Sequence, residues 1–224
     1  MLFRSARVAK GVPRMTAEAT TPFPDASSGS ARTAALASRL DRVPLLAVTL
    51  LAFALDAWRL HEGDLGNTYY AAAVRSMTLS ARNFFFGAFD PGGMITVDKP
   101  PVFLWVGALS ARLFGYSSWS LLLPSAIAGA ATVALLWILV RRRFGPFAAT
   151  IAGVTLALTP ITVAVDRLNL PEPFFILALV GAAGAVLRGL EEPRGLRWMA
   201  LAGVLVGVAF NTKMLAAWIP GPAL

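Results

Sequence analysis

The segment Leu121–Val140 reads LLLPSAIAGAATVALLWILV, and none of its 20 residues is charged. About 20 apolar residues are needed for a helix to cross the hydrocarbon core of a bilayer. Three arginines, Arg141–Arg143, follow the segment directly, and basic residues mark the cytoplasmic ends of such helices. The segment therefore predicts a membrane-spanning helix.

Four further apolar segments flank this one, at Pro44–Leu60, Phe147–Val165, Pro173–Leu187 and Leu196–Trp218. Hydrophobic residues make up 57% of the chain and charged residues 14%, whereas soluble domains carry about 25% charged residues. The composition excludes a soluble domain, and it also excludes a disordered chain, which would be poor in apolar residues. We therefore expect an all-α, polytopic membrane protein with five spans.

Val102–Phe114 is apolar as well but has only 13 residues. As a helix it reaches about 20 Å, whereas the hydrocarbon core is about 30 Å thick. We therefore expect an interfacial or re-entrant helix that does not cross the membrane.

This choice also satisfies the positive-inside rule, because it places all the basic segments on the cytoplasmic side. These segments are the tail 1–42, Arg141–Arg143 and the loop with Arg188, Arg194 and Arg197. We expect the tail to be disordered and cytoplasmic. Residues 61–120, the turn Asp166–Glu172 and Lys213 then lie on the external face.

The charge balance, 20 Lys and Arg against 12 Asp and Glu, gives a net charge of +8. In a soluble protein this would indicate nucleic-acid binding. Here the basic residues lie between apolar segments, so we expect them to set the topology and we expect no nucleic-acid partner. With no cysteine and His61 as the single histidine, the chemistry depends on carboxylates, lysine, arginine and the backbone.

The long external loop begins with a predicted helix, Asn67–Met77. Asn67 is a suitable N-cap, and an apolar stripe follows at helical spacing (Tyr70, Ala73, Val74 and Met77). We expect this helix to lie on the bilayer surface.

Asp98 and Lys99 stand beside Pro100-Pro101 at the start of the short apolar segment. The rigid prolines hold both charges at the membrane surface, where the phosphate of a lipid-linked substrate would lie. Lysine supplies a point charge for phosphate. A phosphate site and a simple surface ion pair are both compatible with this pattern.

The second external turn adds Arg167 and Glu172, and Lys213 lies at the external end of the last span. Arg167 and Lys213 can join Lys99 around an anion. Alternatively, Glu172 stabilises a helix N-terminus and Lys213 extends to the interface. Asp64, where the first span ends, is a candidate general base.

Five short motifs in this order resemble bacterial glycosyltransferases of family 39, the group similar to protein O-mannosyltransferases and aminoarabinose transferases, which has the GT-C membrane fold. The motifs are NTYYAAAVRSM at Asn67–Met77, FFFG at Phe84–Gly87, FDPGG at Phe89–Gly93, VDKPP at Val97–Pro101 and FNTKM at Phe210–Met214. The resemblance covers about residues 44–224.

The resemblance implies a helix bundle with external amphipathic helices and an inverting transferase in the bacterial cytoplasmic membrane. Such an enzyme moves a hexosyl or pentosyl group from a polyprenyl-phosphate carrier to a hydroxyl of a cell-envelope glycan, lipid or protein. It also implies that Lys99 binds the donor phosphate and Asp98 assists it. Glu172 takes the acid position of the second turn, and Lys213 matches a lysine of the family.

One departure concerns the acid that activates the acceptor, because the acidic pair common before the first loop helix falls on Gly66-Asn67. Asp64, Asp90 and Glu62 all stay open as the base. The sequence requires no cofactor or metal site, although a divalent cation held by carboxylates is compatible with it.

Family members are much longer, and the chain ends inside an apolar segment. We therefore expect residues 43–224 to form the N-terminal part of a GT-C domain. A non-catalytic membrane module and a transporter subunit are the alternative functions.

Overall fold

The computed structural model describes residues 43–192 and 195–218, so the expected basic tail and Arg194 lie outside the described residues. The helices are α1 (Val43–Ala57), α2 (Thr68–Leu79), α3 (Ala81–Phe86), α4 (Val102–Phe114), α5 (Ser118–Leu158), α6 (Pro160–Asp166), α7 (Glu172–Glu191) and α8 (Leu196–Lys213). Two short 3-10 helices, Leu60–Glu62 and Met214–Trp218, complete them. The described part contains one isolated β-bridge, Ala88–Thr96, and no sheet.

Four helical segments of the described chain are long and apolar enough to cross a membrane. They are Val43–Glu62, Ser118–Leu158, Glu172–Glu191 and Leu196–Trp218. The prediction of an all-α membrane protein is therefore confirmed.

Helix α5 is two antiparallel arms rather than one rod. A straight helix of its 41 residues would be about 60 Å long, twice the thickness of the hydrocarbon core. The backbone of Gly145 is non-helical, with φ 82° and ψ 175°, and Trp137 Nε1 on the first arm donates to Thr150 Oγ1 on the second at 3.3 Å. The second and third predicted spans are thus joined by a tight turn just after Arg141–Arg143.

The third predicted span, Phe147–Val165, is divided in the structure. Its helix stops at Thr159, whose backbone is extended, and α6 starts at Pro160. A residue before proline is disfavoured in the helical conformation, which explains the break. Asp166 ends α6 against Gly129, where a Cβ atom would overlap the Asp166 carboxylate.

Helices α7 and α8 form an antiparallel pair held by small buried residues, among them Ala178, Ala182 and Ala209. At one end of the bundle, which we call the basic end, Arg143 pairs with Glu191 at 2.5 Å and Arg197 with Glu192 at 2.6 Å. The turn at Gly145 and the α7–α8 connection therefore lie at the same end, as the charge distribution predicts. The external segments lie at the opposite end, which we call the loop end.

The loop helices form a hydrophobic core of their own. Helix α2 covers the predicted segment and is capped by Asn67, whose side chain accepts from the N–H groups of Tyr69 and Tyr70. Its predicted apolar stripe is buried against α4 and α5. The stripe is therefore covered by protein, because α4 supplies an apolar surface against which it packs. Helix α4 has the predicted bounds.

Candidate functional site

Lys99 and Asp98 form the first part of the site, just before α4. Lys99 Nζ donates to Asp98 Oδ2 at 2.6 Å, and the N–H of Asp98 donates to the hydroxyl of Tyr69 at 3.3 Å. The hydrogen bond to Asp98 raises the pKa of Lys99 above its ordinary value. Lys99 is therefore a fully charged cation held in place by α2.

Aromatic rings on α2 support this segment. The ring of Tyr69 stacks on Phe89 with centroids 4.8 Å apart, and the buried ring of Tyr70 meets Phe103 edge to face at 5.0 Å. Sequence reasoning placed Tyr70 on the apolar stripe of α2 but missed the role of Tyr69. The signal was present in the motif NTYYAAAVRSM, because consecutive tyrosines on a helix point in different directions.

Glu172 and Lys213 form the second part of the site, where α7 begins and α8 ends. Lys213 Nζ donates to Glu172 Oε1 at 2.8 Å and lies 5.9 Å from the centroid of the Phe175 ring. The other carboxylate oxygen, Glu172 Oε2, is buried and has no hydrogen-bond partner among the described residues. A buried acceptor without a partner is costly.

Tyr70 connects the two pairs electrostatically. Burial raises the pKa of its phenol, and the charges of Asp98 and Glu172 raise it further while Lys99 opposes them. The charges of Asp98, Lys99 and Glu172 therefore act on one buried side chain. We call Tyr70 together with these two ion pairs the lysine site, and the pairs contain four of the predicted site residues, namely Asp98, Lys99, Glu172 and Lys213.

Arg167 and Asp64 lie elsewhere at the loop end. Both line a polar cavity of about 320 Å³ together with Arg59. Nη1 of Arg167 donates to the carbonyl of Leu55 at 2.9 Å, which fixes this guanidinium near the end of α1. The structure thus gives Arg167 surroundings different from those of Lys99 and Lys213.

The carboxylate of Asp90 organises a turn. Its Oδ1 accepts from the N–H groups of Met94 at 2.9 Å and Ile95 at 2.7 Å, and its carbonyl accepts from Ser76 Oγ at 2.7 Å. The bond from Ile95 is the main reason that the pKa of Asp90 is lowered. Asp90 therefore holds the loop that leads to Asp98.

Glu62, the other predicted candidate for the base, is exposed and pairs with Arg59 and with His61. No group of three or more Asp, Glu or His side chains suited to a metal ion occurs in residues 43–192 and 195–218. The acids of the lysine site each contact a lysine instead.

A pair of asparagines ties the two external segments together. The N–H of Asn67 donates to Asn169 Oδ1 at 2.5 Å, and Asn169 Nδ2 donates to the carbonyl of Asn67 at 3.1 Å. The preceding residue, Gly66, has φ +72° and approaches Asn169 so closely that a side chain would overlap it. Gly66-Asn67, where the acidic pair of the family is missing, thus has a structural role here.

The family profile described as "Dolichyl-phosphate-mannose-protein mannosyltransferase" matches residues 98–224. The chain belongs to this family. The match starts at Asp98 and therefore includes Lys99, Glu172 and Lys213. The predicted resemblance is confirmed.

Two Bacillus subtilis (strain 168) proteins are similar to the chain. One, named "Putative mannosyltransferase YycA", is 42% identical over 179 residues, which is 80% of this chain and 26% of that protein. The other, "Putative mannosyltransferase YkcB", is 42% identical over 184 residues, 82% of this chain and 25% of that protein. The chain spans about a quarter of the length of these family members.

The crystal structure of ArnT from Cupriavidus metallidurans in the apo state has a similar fold. The superposition has a TM-score of 0.67 and covers 84% of this chain and 35% of ArnT, with 24% sequence identity. The chain therefore shares with ArnT the fold of a helix bundle with external loop helices.

Proposed function

We propose that the chain contributes the donor-phosphate site of a glycosyltransferase that moves a sugar from a polyprenyl phosphate to an acceptor hydroxyl. The observation that carries the proposal is the lysine site, in which two lysine–carboxylate ion pairs lie at the loop end of the bundle and three of their four charges act on Tyr70. Membership of the mannosyltransferase family supports a glycosyl group as the one transferred.

Lys99 and Lys213 are proposed to bind the phosphate. Each ammonium group has three N–H donors, and the ion pairs with Asp98 and Glu172 engage one donor each. Both lysines can therefore bind a phosphate oxygen without leaving their carboxylate partners. The ion pairs hold the two side chains in position before the donor arrives, which lowers the entropic cost of binding.

An apolar groove beside the lysine site is proposed to hold the first isoprene units of the donor. It has a volume of about 390 Å³ and lies between α4, α5 and α7, with Val106, Leu113, Ile127 and Leu177 among its lining residues. Phe174 also lines it and follows Glu172 by two positions. A polyprenyl chain would thus enter from the lipid side with its phosphate toward the lysines.

Glu172 is the proposed general base. Its unpartnered Oε2 can accept the proton of the acceptor hydroxyl, whose oxygen then attacks the anomeric carbon. The bond between that carbon and the phosphate oxygen breaks, and the polyprenyl phosphate leaves with its negative charge stabilised by Lys99 and Lys213. The step needs positioning and electrostatics rather than a covalent nucleophile. Asp64 and Asp90 stay the alternative bases.

We also propose that the loop end faces the outside of the bacterial cytoplasmic membrane and the N-terminus the cytoplasm. The arginines gathered at the basic end support this orientation through the positive-inside rule. The acceptor is then a component of the cell envelope, either a glycan, a lipid or a protein.

The test measures transfer of labelled sugar from polyprenyl-phosphate donors in vesicles from cells that express the complete gene. We expect Lys99→Ala to lower the rate by a factor of about 10²–10³, as removal of one stabilising donor to a developing anion does. Glu172→Gln should lower kcat more than KM, and Asp64→Asn and Asp90→Asn test the alternative bases. Arg82→Gln removes an external charge outside the lysine site and serves as the matched control. Wild-type rates in Lys99→Ala at equal protein level would overturn the proposal.

A further inference from the structure

The cavity at the end of α1, which we call the arginine cavity, is not used by a reaction in which Glu172 is the base. Its volume is about 320 Å³. Its polar side chains are Arg59, Asp64 and Arg167, and its other lining residues include Gly63, Gly66 and Leu122. Two guanidinium groups and one carboxylate therefore line the cavity, and a second carboxylate, that of Glu62, pairs with Arg59 beside it.

Arg59 is held in the cavity by an unusual backbone. Its φ of 56° and ψ of 31° place it in the left-handed region, which residues other than glycine seldom adopt. Such conformations persist only where the surroundings impose them, and they concentrate at functional sites. The Nε and Nη2 atoms of Arg59 pair with Glu62, so this pair leaves Nη1 for a ligand.

Arg167 is fixed on the opposite segment of the cavity. Its Nη1 is engaged by the carbonyl of Leu55, a bond that does not use Nε or Nη2. A guanidinium presents several N–H donors in a planar fork that matches phosphate and carboxylate oxygens. Two such forks on separate segments form a site for an anion rather than an isolated surface charge.

We infer that the arginine cavity binds an anionic group of the acceptor, a phosphate or carboxylate, and that Asp64 accepts a hydrogen bond from an adjacent hydroxyl. The inference rests on the proposed function. The connection to the lysine site runs through the asparagine pair, because Gly66 precedes Asn67 and Arg167 lies two positions before Asn169. An acceptor anchored in the cavity would thus lie against the two external segments that the asparagine pair joins.

The test is protection of single arginines from phenylglyoxal, measured for each arginine by mass spectrometry. The complete protein is reconstituted in phosphatidylcholine nanodiscs with glycerol phosphate in solution, or in nanodiscs containing phosphatidylglycerol. We expect one of these probes to slow modification of Arg59 about tenfold, the effect of a charge-assisted hydrogen bond. Glycerol phosphate as the protecting probe indicates a soluble anionic acceptor, and phosphatidylglycerol indicates a lipid headgroup.

Two variants make the outcome specific to this cavity. Arg167→Gln should abolish the protection of Arg59, whereas Lys99→Ala should retain it, so that failure of the donor site and of the arginine cavity are distinguishable. Arg82 is the internal control, because it lies at the loop end and outside the cavity. Equal protection of Arg82 and Arg59, or no protection of Arg59 by either probe, would overturn the inference.

Discussion

The loop end and the spanning bundle are built from different kinds of buried residue. The core of the loop end contains large side chains, such as Met77 and Leu104, whereas apart from Trp137 the residues buried between the spans are mostly small, such as Ala182 and Ala209. Large apolar groups stabilise a fold when water is excluded from them. Spanning helices are surrounded by lipid instead and associate through close contact of small residues. The loop end therefore has a core of the kind found in soluble domains, and the Asp98–Lys99 pair of the site lies beside it.

The largest loss of stability is expected from a substitution that creates a cavity in the hydrophobic core of the loop end. Met77 is 0% exposed, while Leu79, two positions later on the same helix, is 63% exposed. Met77→Ala should cost about 2–5 kcal/mol, and Leu79→Ala should stay within about 0.5 kcal/mol. Thermal unfolding in nanodiscs measures both. Equal effects of the two variants would show that the loop end does not have a core of the soluble type.

The stability of the spanning bundle should be lowered most by substitutions that add volume at a buried small residue. A Cβ atom at Gly129 would overlap the Asp166 carboxylate, whereas one at Gly203 would meet open space. We expect Gly129→Val to destabilise the protein by about 1–3 kcal/mol or more. Gly203→Ala should instead stabilise α8 by about 0.5–1 kcal/mol. Thermal unfolding in nanodiscs measures both variants. Destabilisation by Gly203→Ala would show that added volume is unfavourable even where no neighbour is close, which would contradict the close-contact explanation.

Local features of both regions could be predicted from the sequence. The bounds of Val102–Phe114, the cap at Asn67 and the apolar stripe of α2 depend on neighbouring residues, and the structure confirms them. The helix break at Thr159 could also have been predicted, because Pro160 disfavours the helical conformation for the residue before it. The surface against which the stripe packs could not be predicted, because a periodic pattern shows which face of a helix is apolar but not what covers it.

Most of the candidate site depends on contacts between distant segments. Asn67 and Asn169 are 102 positions apart, and Glu172 and Lys213 are 41 apart. No local pattern pairs such residues. The sequence therefore predicted Asp98, Lys99, Glu172 and Lys213 individually, while the fold gives Arg167 different surroundings and adds Tyr70 to the group.

The asparagine pair joins the loop end to the turn between α6 and α7. Asn169 is buried, so Asn169→Ala should cost about 1–3 kcal/mol by leaving the N–H of Asn67 without a partner. Asn169→Asp keeps the oxygen that accepts from Asn67 N–H and should cost less. Hydrogen exchange of the Asn67 amide reports the bond directly. An amide that stays protected in Asn169→Ala would show that another group closes this connection.

The smallest effect concerns the rim of the loop end, where Asp90 holds its turn. The N–H groups of Ile95 and Met94 lower the pKa of Asp90 below its ordinary value of 3.8. A carboxyl with a lowered pKa in the folded state stabilises the turn at neutral pH, and this contribution is lost as the pH falls through the lowered pKa. Protection factors of the Met94 and Ile95 amides should therefore fall in acid, while that of the Asn67 amide should not. Asp90→Asn keeps an acceptor oxygen without a titrating group, so its protection factors should be independent of pH. A similar acid response in Asp90→Asn would assign the loss to a different carboxylate, and the turn would then depend on the core of the loop end rather than on its own charge.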